Sequence, residues 1–161
     1  MNNKKTAYLG LFAAVAIIFG YVESLFPFFA GIPGIKLGLA NLAVLFILET
    51  YTWKEAAVVS AVRIVVIGFL FGNMFTIIYS LAGAALSLFV MTLMKKSSGF
   101  SILGISVAGG VSHNIGQLMV AALIVENTSP LYYAPVLLIS GVITGLLIGI
   151  LTKEVTKRIH L

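Results

Sequence analysis

The chain has 161 residues, of which 60% are hydrophobic and only 9% charged, more apolar than a soluble domain tolerates. The net charge of +5 is carried by residues that flank apolar runs, with no separate basic domain, which excludes a nucleic-acid binder. Cysteine is absent, which excludes a disulfide, a thiolate metal site and a cysteine nucleophile.

A bilayer span needs ~20 apolar residues, and six apolar runs fit this length with short loops between them. They read as Thr6–Leu25, Lys36–Glu49, Glu55–Gly72, Met74–Met94, Ser101–Val125 and Tyr132–Thr152. The second is short and reaches into the apolar loop before it. The first has a basic start like a signal peptide. It is too long for such a segment and five runs follow it, so it is expected to be a retained first helix. Alternating ten-residue strands, the mark of a membrane barrel, do not occur. The expected fold is therefore all-α: a six-helix membrane bundle forming a single domain over 1–161.

Positive loops stay on the cytoplasmic side. Lys4 and Lys5 open the chain, Lys54 lies between runs two and three, Lys95 and Lys96 between runs four and five, and Lys153, Lys157 and Arg158 close it. All fall on one side of a six-span chain. The opposite loops hold Lys36 and Glu126 but no basic cluster. Both termini are expected in the cytoplasm of a cell-membrane protein.

Missing residues exclude chemistry. There is no aspartate, and five scattered glutamates do not form the carboxylate cluster that magnesium-dependent prenyl-diphosphate enzymes need. No GxxxxGK[ST] phosphate loop is present. Ser112 beside His113 resembles a nucleophile and base, but neighbours on a helix diverge by about 100° and no acid lies near to orient the histidine. The chain is not expected to be an enzyme. One histidine with neither cysteine nor nearby carboxylate makes a poor metal or haem centre, so neither metal nor cofactor is expected.

Polar groups inside spans are costly unless paired or wet, and are functional candidates for that reason. Here they are Glu23, Asn41, Arg63, Asn73, His113, Asn114 and Gln117, with Lys36 at a span edge. Counting ~1.5 Å per residue from the cytoplasmic ends puts Arg63 about 12 Å deep and Asn41 about 13 Å. The same count puts His113 and Asn114 at about 18 Å, Gln117 at about 24 Å and Glu23 at about 25 Å. These residues form a column from mid-membrane to the outer surface, as expected of an outward-facing binding cavity. No acid shares the estimated depth of Arg63, so an anionic or strongly polar ligand is expected there, with Lys36 near the rim. A structural pairing of Arg63 with Glu23 is disfavoured by the ~13 Å difference in depth. The amides also suit interhelical packing.

The outer loop Phe26–Gly34 is apolar and aromatic, and its prolines and glycines prevent regular helix. Such backbone at membrane depth packs on protein or lines a cavity. Phe28, Phe29 and Pro33 are expected to form a lid; an interfacial aromatic belt is the alternative. Small-residue stripes mark close helix contacts. Gly141, Gly145 and Gly149 form one, Thr6, Gly10 and Ala14 another with Ala16 and Gly20 beyond, and Gly109 and Gly116 share a face of the fifth run.

Three segments go further than composition. They are Pro33-Gly34-Ile35-Lys36-Leu37-Gly38-Leu39-Ala40-Asn41; Arg63 with Phe71-Gly72-Asn73 and Tyr79-Ser80-Leu81-Ala82-Gly83; and Gly109 with Ser112-His113-Asn114-Ile115-Gly116-Gln117. Together they resemble the Gx transporter family, also labelled heptaprenyl diphosphate synthase component I, across essentially the whole chain. That family is similar to the substrate-binding S components of energy-coupling factor (ECF) transporters. The resemblance implies an outer pocket under the loop joining helices 1 and 2, and a docking face of small residues on helix 1, here Gly10 and Ala14. The implied partners are a small-molecule substrate, a transmembrane coupling subunit and two ATPase subunits. It assigns Lys36, Asn41, Arg63, Asn73, His113, Asn114 and Gln117 to the motif positions. A second reading stays open: a non-catalytic membrane subunit of isoprenoid or quinone synthesis, or of membrane electron transfer.

Overall fold

The computed structural model describes residues 3–25 and 38–159. The expected lid residues Phe28, Phe29 and Pro33, and Lys36, lie outside the described residues. Six α-helices follow one another: α1 Asn3–Leu25, α2 Leu39–Thr50, α3 Trp53–Phe71, α4 Met74–Lys96, α5 Ile102–Val125 and α6 Ala134–Arg158. A short 3-10 turn, Ser129–Tyr133, leads into α6. The described residues contain no strand.

Helix starts are written in local chemistry. Thr52 and Glu55 form a reciprocal capping box at α3, satisfying amides that the first turn leaves open. Asn73 and Ser101 cap α4 and α5 by a single backbone bond each, accepting from the amides of Thr76 and Gly104. Gly38, before α2, has φ +74°, which glycine adopts without steric cost.

α1, α4, α5, and α6 with its leading turn are long and apolar enough to cross a membrane. α3 has 19 residues but carries Lys54, Glu55 and Arg63. α2 has only 12, about 18 Å of helix against the ~30 Å of a hydrocarbon core. The expected second run thus yields a short helix.

α1, α2 and α3 pack on one another, as do α4 with α5 and α5 with α6; α3–α4 and α2–α6 contacts join the two groups. α2 sits at the centre, with Ala40 and the run Ala43–Leu48 all buried. A helix apolar on every side belongs inside a bundle. Its Ala43, Val44, Leu45, Ile47 and Leu48 join Ala16, Ala56, Val59, Leu88, Met91, Ile105 and Ile148 in one core.

The small-residue stripes separate cleanly. A methyl group on Gly145 would stand 2.7 Å from the Cα of Val107, and one on Gly110 would stand 2.5 Å from the carbonyl oxygen of Gly141. The α6 stripe is therefore the α5–α6 seam. Gly116 meets Ala82 and Gly83 on α4, and Gly109 meets Met91 and Ser87. On α1, Ala16 and Gly20 face inward, whereas Gly10 has nothing within 4 Å of an added methyl and Ala14 is exposed.

Candidate functional site

The polar residues of the spans divide into three groups. The first surrounds the start of α2. Glu23 of α1 accepts a hydrogen bond from the Leu39 amide at 2.9 Å, so a carboxylate stands at the positive end of the helix dipole. Arg63 of α3 donates from Nη2 to Asn41 Oδ1 at 2.5 Å. As the depth count predicts, no ion pair joins Glu23 to Arg63 among the described residues; both meet the first turn of α2, Glu23 at the Leu39 amide and Arg63 at Asn41. Arg63 Nε is buried without a hydrogen-bond partner among the described residues.

A small cavity of about 40 Å³ lies inside this region, lined by Asn41 and His113 together with Ser60, Ser87, Ser106 and Thr144. A water needs about 10–15 Å³ by this measure, so the space has room for ordered water among these polar side chains. His113 is half-buried and its ring packs on the α-carbon side of Gly83. The neighbouring Ser112 hydroxyl donates to the carbonyls of Ala108 and Gly109 at 2.6 and 3.2 Å. It is engaged by its own helix. Among the described residues no group of three histidines, cysteines or acids stands where it could hold a metal.

The second group is architectural. Asn114 Nδ2 donates to the Leu137 carbonyl at 2.6 Å and reaches Ser140 Oγ at 3.5 Å, tying α5 to α6. Asn73 Oδ1 accepts from the amide and hydroxyl of Thr76 at 2.9 and 3.0 Å. It is an exposed helix cap.

Gln117 belongs to neither. It is 6% exposed, makes no hydrogen bond to another described residue, and lines a cavity of about 300 Å³. The walls come from α4 (Tyr79), α5 (Gln117, Leu118, Val125), the 3-10 turn (Tyr133) and α6 (Leu137). This space lies at the end of the bundle where α5 finishes and α6 begins. It reaches the lower bound of small-molecule sites, which are mostly apolar with a few placed polar groups. Tyr133 was not among the residues expected from sequence. The signal available was a tyrosine pair beside Ser129-Pro130 at a helix entry.

The opposite end of α2 mirrors its start. Lys95 of α4 donates to the Leu48 carbonyl, and to that of Glu49 at 3.0 Å. A cation thus meets the negative end of the dipole. Lys95 was expected only as an orientation signal. Its reach to α2 has no sequence signature.

The sequence matches the family described as heptaprenyl diphosphate synthase component I over residues 12–155. The chain belongs to that family. No curated protein matches it, and no solved structure does. With its apolar helices, it is a membrane protein of the heptaprenyl diphosphate synthase component I family. The matched region takes in Glu23, Asn41, Arg63 and all the cavity residues named above.

Proposed function

We propose that this chain is the substrate-binding membrane subunit of an importer of the energy-coupling factor type. It spans the cell membrane six times with both termini in the cytoplasm, and takes a small cofactor- or vitamin-like molecule from the outer side. The observation that carries this reading is the cavity of about 300 Å³ at the ends of α4, α5 and α6. The distribution of lysines around the runs puts that end outside. A second support is the uncovered face of α1 at Gly10 and Ala14, where a coupling subunit carrying two ATPases would approach backbone to backbone. The chain contributes no catalysis of its own.

The alternative is a non-catalytic membrane subunit of isoprenoid or quinone synthesis, which the family's description favours, or of membrane electron transfer. Gentle affinity purification from native membranes, followed by native mass spectrometry, separates the two. A coupling subunit, two ATPases and a retained small molecule are expected. A stoichiometric synthase or dehydrogenase would overturn the importer reading.

A further inference from the structure

The walls of the larger cavity specify what it can hold. Among the described residues that line it there is no lysine, arginine, histidine, aspartate or glutamate. An unpaired ion moved into such surroundings loses hydration that the walls do not replace. Gln117 supplies the one side-chain amide among the described lining residues. It is 94% buried, by the 6% exposure above, and its amide makes no hydrogen bond to another described residue. A primary amide offers one acceptor and two donors in a single plane. A lipid tail would fill the space yet leave that amide unpaired.

The other walls favour a flat molecule. Tyr79 and Tyr133 line the cavity from α4 and from the 3-10 turn. Aromatic rings gain most against other aromatic faces or edges. The Gln117 Cγ packs closely over Gly83, where an added methyl would stand 2.7 Å from it. That contact limits the motion of the side chain and holds the amide in place.

We propose that the cavity binds an uncharged planar heteroaromatic ring bearing a lactam- or imide-like edge. The ring edge pairs with the Gln117 amide and the ring lies between Tyr79 and Tyr133. This rests on the reading of the cavity as the substrate site.

The test is isothermal calorimetry on the full chain in nanodiscs with two probes of equal size. One is neutral quinazoline-2,4-dione and the other is the anion quinoline-2-carboxylate. The dione should bind, and Gln117→Leu should weaken it at least tenfold. That variant keeps a carbon at the γ position over Gly83, and its melting temperature without probe reports whether it is folded. Tyr133→Leu, on the opposite wall, should weaken the dione several-fold and provides the readout if Gln117→Leu does not fold. Preferential binding of the carboxylate, lost in the same variants, would overturn the neutral class and leave the cavity as a substrate site. Absence of binding that depends on Gln117 or Tyr133 would overturn the proposal. The importer reading is judged separately, by the copurifying subunits, which neither substitution touches.

Discussion

Arg63 and Asn41 are joined across two helices: the guanidinium Nη2 on α3 donates to Oδ1 on α2 at 2.5 Å. Glu23 on α1 accepts from the Leu39 amide through Oε1. Three helices thus meet at the first turn of α2, and each of these two bonds satisfies a polar group in an apolar interior.

Arg63→Ala should therefore lower the melting temperature of the purified protein, with a loss of roughly 1–3 kcal/mol, because it leaves Asn41 Oδ1 without its partner. The double variant Arg63→Ala with Asn41→Leu should recover part of that loss, a coupling that a double-mutant cycle measures directly. Arg63 does not line the larger cavity, so ligand affinity should stay near wild type in any folded Arg63 variant. Lost affinity at unchanged melting temperature would return Arg63 to the binding site.

The two ends of α2 give a second prediction. Glu23→Ala removes a carboxylate from the start of the helix, and Lys95→Ala removes a cation from its end. Each should cost about 1 kcal/mol, the usual size of a cap or dipole contact. Thermal unfolding of the single and double variants checks this. The effects should add, since the sites lie at opposite ends of a 12-residue helix.

Glycine positions provide a sharp contrast. Gly110→Ala places a methyl 2.5 Å from a backbone oxygen, which no side-chain movement relieves. It should destabilise the α5–α6 seam by about 1–3 kcal/mol, as overpacking does. Gly10→Ala meets nothing within 4 Å and should not lower the melting temperature, since alanine is the better helix former. Gly10→Leu or Ala14→Leu should weaken assembly with a coupling subunit while the isolated bundle stays intact, measured by copurification.

Orientation is tested by single cysteines. Gly99→Cys, between α4 and α5, should resist an impermeant thiol reagent in intact cells, and Thr128→Cys, between α5 and the 3-10 turn, should react. The reverse pattern would invert the proposed topology.

The reach of sequence reading differs from residue to residue. Arg63 and Asn41 fall at nearly equal estimated depths, about 12 and 13 Å by helical rise, and the structure joins them. The same count set Glu23 about 13 Å from Arg63, and no ion pair joins them among the described residues; the bond from Glu23 to the Leu39 amide has no sequence signature. The stripe Gly141–Gly145–Gly149 was legible as a close contact, but only the structure identifies α5 as its neighbour. Gln117 was legible as a buried amide. Its cavity was not, since Tyr79, Val125, Tyr133 and Leu137 come together only when α4, α5, the 3-10 turn and α6 are assembled. Asn73 and Asn114 look like cavity residues by type and position, yet one is a helix cap and the other bonds a carbonyl across a seam.

The shortness of α2 has a bearing on biogenesis. A helix of 12 residues is too brief to partition into lipid unaided, so during synthesis it must wait for neighbours to shelter it. α1 supplies Glu23 at once, but the lysine that secures the far end belongs to α4 and leaves the ribosome some 45 residues later, since synthesis runs from the N-terminus. The centre of this protein is thus completed by a segment translated after it. A nascent chain arrested before Lys95 emerges should hold α2 in a protease-accessible state that the finished chain has left behind.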